Sequence, residues 1–193
     1  MIREPLWDLA GRTVSVGSEV SNTIEALLRL QNTADHQRPI TLYLIGTPTT
    51  TSLPPTDALM LCSLIRTLRS PVQTVGMGTL HHLQPMILAA GTHRRYLLRH
   101  SLVALSPIKW ESVPAARPAM SFDQPVSPRS ARSLLETQLE QFLHELKLDP
   151  ELFETERLLT AEEAVEHRLA DIVVAHTPPQ LPPKQELLHE TQR

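Results

Sequence analysis

Apolar and polar positions along the chain switch repeatedly between a period of two and a period of three to four, which predicts strands and helices in turn. Thr13-Val14-Ser15-Val16 reads as a short strand. Ile24, Leu27 and Leu28, with Gln31 as the polar edge, share one face of a helix that Ser21 can cap. Ile40 to Ile45 is a β-branched and aromatic run, the pattern of a buried strand. A loop of Thr and Pro follows from Thr47 to Pro55. Thr56 is predicted to cap a helix carrying Leu59, Met60, Ser63, Leu64 and Leu68, and Val72 to Met77 is a third strand.

His81 to Leu83 lead into a further helix, with Pro85 in its first turn, where a missing N–H costs nothing, and Gly91 as its predicted C-terminal cap. Arg94 to Leu98 and Ser101 to Leu105 read as two more strands. After a Pro-rich stretch from Pro107 to Pro128, Ser127-Pro128 starts a helix with an apolar stripe of Leu135, Leu139, Phe142, Leu143 and Leu146. Thr160-Ala161-Glu162-Glu163 is a capping box that opens a short helix, and Asp171 to Val174 is a last strand. The tail from Thr177, with Pro178, Pro179, Pro182 and Pro183, cannot build a core and is predicted to be mobile. Its Pro179-Gln180-Leu181-Pro182 matches the PxxP pattern, which is common by chance. Strand followed by helix, again and again, argues an α/β domain.

Composition narrows the function classes. A chain of 193 residues fits one domain and can bury roughly 70% of its unfolded surface without disulfides. Eighteen Lys+Arg against 21 Asp+Glu give a net charge of −3, which argues against a nucleic-acid binder. The basic group Arg94-Arg95 with Arg99-His100 has only Tyr96 beside it as an aromatic, and reads as strand-end or interface residues. The single cysteine, Cys62, excludes a disulfide framework and a Cys-based zinc cage, and lies on an apolar helix face as a buried small hydrophobe. No apolar run approaches the ~18 residues of a membrane span, and the first residues lack a signal-peptide pattern. A soluble intracellular protein is expected. There are 17 Pro and only 6 Gly, so backbone cradles that depend on Gly are scarce.

Several segments together resemble the proteolytic-subunit family of the Clp protease, with its ClpP/crotonase fold. Thr160 to Asp171 is similar to the family's S/T-A-E-E-A-x-E-Y-G-L-I-D segment. Leu42-Tyr43-Leu44 before a loop with Pro48 looks like its L-Y-I-N-S-P-G-G, and Val75-Gly76-Met77 with Leu88-Ala89-Ala90-Gly91 brackets its nucleophile segment. The resemblance runs from about Arg12 to Val174. It implies an α/β fold of repeated β-β-α units with a protruding handle helix. The implied organisation is a shortened N-terminal segment over 1–11, a ClpP-like domain over 12–174 with a handle region near 107–148, and a Pro-rich tail over 175–193. The family's axial loop is expected to be truncated or absent, with Trp7 and Leu9 as what remains of the first helix.

The family's chemistry needs a Ser nucleophile, a His base, an Asp to orient the His, and backbone donors for the oxyanion. Carried onto this sequence, the nucleophile position falls on Leu80 counting forward and on His82 counting back, because the segment is two residues longer. The base position falls on Ser106, the acid position on Glu156, and the oxyanion Gly-Gly on Thr49-Thr50. Loss of either nucleophile or base costs about a millionfold in a comparable triad. The resemblance therefore implies the family's non-catalytic, ClpR-type branch, with no cofactor and no metal. Its expected partners are active ClpP-type subunits and, through them, a Clp AAA+ ATPase. A homo-oligomer is a further possibility, and nucleic acid and membrane are not expected. Bacterial cytoplasm or plastid stroma is the expected location.

Rival readings stay open. His81-His82 could be a rewired base or a metal pair, although neighbouring residues on a helix do not face each other. Ser106 could be a displaced nucleophile served by His82, making a hydrolase with a rearranged site. A crotonase-like acyl-thioester enzyme is a third reading, and thermal stabilisation by an acyl-CoA would favour it. Glu156 could still orient a base, but is expected to join Glu151, Glu154 and Arg157 in surface or subunit-contact ion pairs. Trp110 is expected at an interface. The Pro residues between Ile108 and Pro128 make that stretch a poor template for an extended substrate.

Overall fold

The computed structural model describes residues 7–8, 10–16, 20–33, 36–46, 53–108 and 128–176. Thr49-Thr50, Trp110 with its Pro-rich stretch, Leu9 and the PxxP tail lie outside the described residues. In chain order the elements are β1 (Trp7–Asp8), β2 (Thr13–Ser15), α1 (Val20–Gln31), β3 (Ile40–Gly46), α2 (Pro55–Thr67), β4 (Val72–Leu80) and α3 (Gln84–Ala89). There follow β5 (Arg95–Leu98), β6 (Leu102–Leu105), α4 (Pro128–Glu145), a 3-10 turn (Pro150–Phe153), β7 (Arg157–Thr160), α5 (Ala161–Glu166) and β8 (Ile172–Val174).

The main sheet has the order β1-β2-β3-β4-β5-β8 and is parallel except for β1 against β2. Five of the seven β3 residues are buried, as a strand covered on both faces requires. β4 is the long central strand. Its Thr74–Gly76 pair with β5, while its last residues, Thr79 and Leu80, pair with Leu102 and Val103 of β6. Between the two pairings Gly78 takes φ +73, a left-handed bend that carries the strand from one sheet into the other. β6 then pairs antiparallel with β7.

α4, the predicted handle helix, buries Leu139, Phe142 and Leu143, with Leu135 half-buried, while Leu134 nearer its start is 61% exposed. Its C-terminal half thus docks on the domain. Cys62 is fully buried, and burial pushes its thiol pKa up.

Local expectations differ from the structure at six places. Ser21 is the second residue of α1 and not its cap. α2 begins at Pro55 behind Pro54, because a fixed φ and a missing N–H suit the first helical position; Thr56 instead bonds the Asp57 carboxylate at 3.4 Å. The cap of α3 is Ala90, and Gly91 is needed for space: a Cβ there would lie 2.7 Å from Thr74 Oγ1. Trp7–Asp8 pair with Val14 and Thr13 as a strand rather than as a helical remnant. β4 runs on to Leu80, and β7, an edge strand with one buried residue, carries no alternation that would announce it.

Arg12 is 3% exposed and has φ +52. Its guanidinium donates to Leu30 O at 3.2 Å, to Thr33 Oγ1, and to Ser70 Oγ at 3.0 Å. One side chain thereby satisfies the end of α1 and ties it to the turn before β4. Arg12→Ala is expected to cost about 3 kcal/mol in chemical denaturation, since it strands buried acceptors and opens a void. Arg12→Lys should recover part of that. An Ala variant within about 0.5 kcal/mol of the parent would show that the clamp is idle.

Arg95 joins β5 to the start of β8. Its backbone N–H donates to Asp171 Oδ2 at 2.9 Å, its Nε to both carboxylate oxygens at 3.1 Å, and its Nη1 to Arg168 O at 2.8 Å. Desolvation alone would raise the Asp171 pKa, but the hydrogen bonds from Arg95 and its charge outweigh it, and the pKa is lowered. A folded pKa below the unfolded one adds stability above the ordinary carboxylate pKa of about 3.9, and that stability is lost as pH falls through the folded value. Asp171→Asn should therefore lower the melting temperature at pH 7 and shrink its fall below about pH 4. An Asn variant with the parent's full acid limb would contradict this.

Candidate functional site

Three segments meet at a cavity of about 410 Å³, lined by His81, His82, Ala104, Leu105, Ser106, Glu156, Arg157 and Leu158. Strand register explains the convergence. β6 and β7 pair antiparallel through Ala104↔Leu158 and Leu105↔Arg157, so the next step brings Ser106 opposite Glu156. β4 lies on the other side of β6 and ends in the pair Leu80↔Val103, which delivers His81 and His82 beside Ala104 and Leu105.

The β4–α3 turn is tightly specified. The His81 N–H donates to Gln84 Oε1 at 3.1 Å, and the Gln84 N–H returns a bond to His81 O at 3.1 Å. Gln84 is itself buried. His82 takes φ +54, a conformation uncommon for non-Gly residues but one in which His is enriched. This kink leaves the His82 side chain exposed at the cavity.

Leu80, by contrast, is fully buried in β4. A Cβ added at Gly76 would come within 2.8 Å of its Cδ1. Of the two counts for the nucleophile position, only His82 reaches the cavity. His82, Ser106 and Glu156 are brought together there; Leu80 is not. The imidazoles of His81 and His82 stand 6.2 Å apart between centroids at 45°. Among the described residues, no hydrogen bond joins Ser106 to either imidazole.

Among the described residues of this chain Glu156 makes no ion pair, and Arg157 turns its Nε to Thr155 Oγ1 at 2.9 Å. Arg157 and Leu158 are cavity residues that sequence reasoning missed. The signal that could have found them is the antiparallel return of β7 along β6, which requires a long-range pairing. Among the described residues, no group of three or more His, Cys, Asp or Glu could hold a metal ion, and no helix is long and apolar enough to cross a membrane.

A mostly parallel sheet with a cleft beyond the end of β4, at a kinked strand–helix turn, makes this an α/β protein. The chain belongs to the Clp protease family, whose sequence model matches residues 11–177. It is similar in structure to a peptidase from Plasmodium falciparum, with a TM-score of 0.69 at 18% identity, covering 86% of this chain and 97% of that one. A second solved structure, described only as an enzyme, matches with a TM-score of 0.66 at 17% identity over 86% of this chain and 97% of that one. No curated protein matches the sequence.

Proposed function

We propose that this chain is a non-catalytic, ClpR-type structural subunit of an ATP-dependent Clp protease core. It assembles with active ClpP-type subunits into a two-ring chamber and shapes ring composition and the choice of ATPase. One observation carries the reading. Where the family's chemistry needs a hydroxyl hydrogen-bonded to an imidazole, this cavity has imidazoles on one wall and the Ser106 hydroxyl on another, and among the described residues Ser106 makes no hydrogen bond to either ring. The carried-over positions would be His82 for the nucleophile, Ser106 for the base and Glu156 for the acid. An imidazole at the first position supplies no hydroxyl to attack a carbonyl, and a serine at the second cannot accept a proton near neutral pH as a His does.

The test is purification of the tagged chain from its native cells under mild conditions. Active ClpP-type subunits should accompany it in a high-mass ring assembly. Isolation as a lone monomer would end the proposal.

A second reading has one observation in its favour. Ser106, His82 and Glu156 line the same cavity, which puts the three groups of a hydrolase with exchanged serine and histidine roles in one place. Peptide or ester turnover by the pure chain, abolished by Ser106→Ala, would establish it over the first.

A further inference from the structure

We propose that the cavity is a receptor for the free C-terminal carboxylate of a short apolar peptide. The proposal rests on the function reading above in one respect: an inert cavity can hold a peptide end without returning it to chemistry.

The lining is built for one anionic head and one apolar side chain. Arg157 has its Nε engaged by Thr155 Oγ1, which orients the guanidinium; its two terminal nitrogens carry no hydrogen bond to another described residue. A guanidinium presented in this way suits a planar carboxylate, which it can grip through two parallel N–H···O bonds. His81 adds a ring donor on the facing wall, and Ser106 adds a hydroxyl. Against these stands one carboxylate, Glu156.

Ala104, Leu105 and Leu158 supply the apolar surface, and Leu158 is 61% exposed although it sits on a strand. A side chain next to the carboxylate would cover it. The cavity also falls within the range of about 300–1,000 Å³ typical of small-ligand sites. β7 pairs only with β6 among the described residues, so the peptide can run out along its other edge. An inorganic phosphate would meet the repulsion of Glu156 with a larger charge and leave Leu158 uncovered. A peptide ending in a leucine carboxylate satisfies both halves of the lining.

The experiment titrates the full chain with N-acetyl-leucyl-leucine and, separately, with its C-terminal amide. The readouts are calorimetry and the NMR signals of the His81 and His82 rings and the Leu158 methyls. The acid should bind saturably at one site and shift those signals, and the amide at least about tenfold more weakly. Arg157→Gln should weaken the acid by at least about tenfold and leave the amide unchanged, while Glu156→Gln should tighten the acid. Thermal melting of the variants, both altered at exposed positions, checks that they fold. Equal binding of acid and amide, no saturable binding, indifference to Arg157→Gln, or stronger binding of inorganic phosphate would each overturn the proposal. A covalent adduct with a serine-directed phosphonate would strike the function reading instead, and leaves the acid–amide comparison intact.

Discussion

Gly46→Ala should leave little folded protein. A Cβ at this position would stand 1.8 Å from Thr79 O, 2.2 Å from Thr79 C and 2.8 Å from Leu80 N, all of them backbone atoms of the neighbouring strand. Flexible side chains can yield to such an intrusion, but these atoms are fixed by the pairs Thr79↔Leu102 and Leu80↔Val103. The opposing Gly78 offers no slack either. It already needs φ +73, and a Cβ there would meet Gly46 O at 2.3 Å. Relief would require β3 and β4 to separate where β4 passes into the β6 pairing, which also carries the turn with His81 and His82. The expected loss exceeds about 4 kcal/mol, in the range reserved for backbone and core failures. Denaturant unfolding measures it, with soluble yield as a second readout. Gly91→Ala is the graded control, since its nearest neighbour is a side-chain oxygen at 2.7 Å, and it should cost clearly less. If Gly46→Ala melts with the parent, the close approach of the strands is wrong.

The isolated chain should hydrolyse fluorogenic peptides no faster than buffer. Removal of a serine or a histidine from a comparable triad lowers turnover by about a millionfold. Here both positions carry other residues on the proposed correspondence, and among the described residues Ser106 makes no hydrogen bond to either imidazole. A fluorophosphonate should therefore leave the intact mass unchanged, and Ser106→Ala should change neither readout. Addition of the active partner subunits should bring turnover that resides in them alone, so that inactivating the partner abolishes all of it. An adduct on the isolated chain, mapped to Ser106, would instead establish the hydrolase with exchanged roles.

Much of the fold was legible where structure follows from neighbours in sequence. The Thr160 capping box forms as read: the Thr160 N–H donates to Glu163 Oε2 at 2.7 Å, and the Glu163 N–H to Thr160 Oγ1 at 3.3 Å. These bonds to Thr160, the backbone one foremost, hold the Glu163 carboxyl below its usual pKa. The stripe on α4 is equally local, because a period of 3.6 places Leu139, Phe142 and Leu143 on one face wherever the helix docks. Caps were read less well. Ser21 and Thr56 are good capping residues, but α1 runs from Val20, and α2 begins at Pro55, whose fixed φ and missing N–H suit the first helical position.

The candidate site was legible only in part of its membership. His82, Ser106 and Glu156 could be nominated one by one, while two registers for the nucleophile position remained. The choice between Leu80 and His82 depends on where β4 stops pairing with β6 and on a single left-handed residue, neither of which has a local signature.

By itself the sequence determined the alternation of strand and helix and the family. These follow from periodicity and from short motifs whose physics is complete within a few residues. The tertiary structure alone decided that Ser106 faces Glu156, that Arg157 and Leu158 share their cavity, that Arg12 is buried against the end of α1, and that Gly46 and Gly78 touch. Each of these is a contact between segments far apart in the chain. Its geometry is set by strand register and packing, so no run of neighbouring residues encodes it.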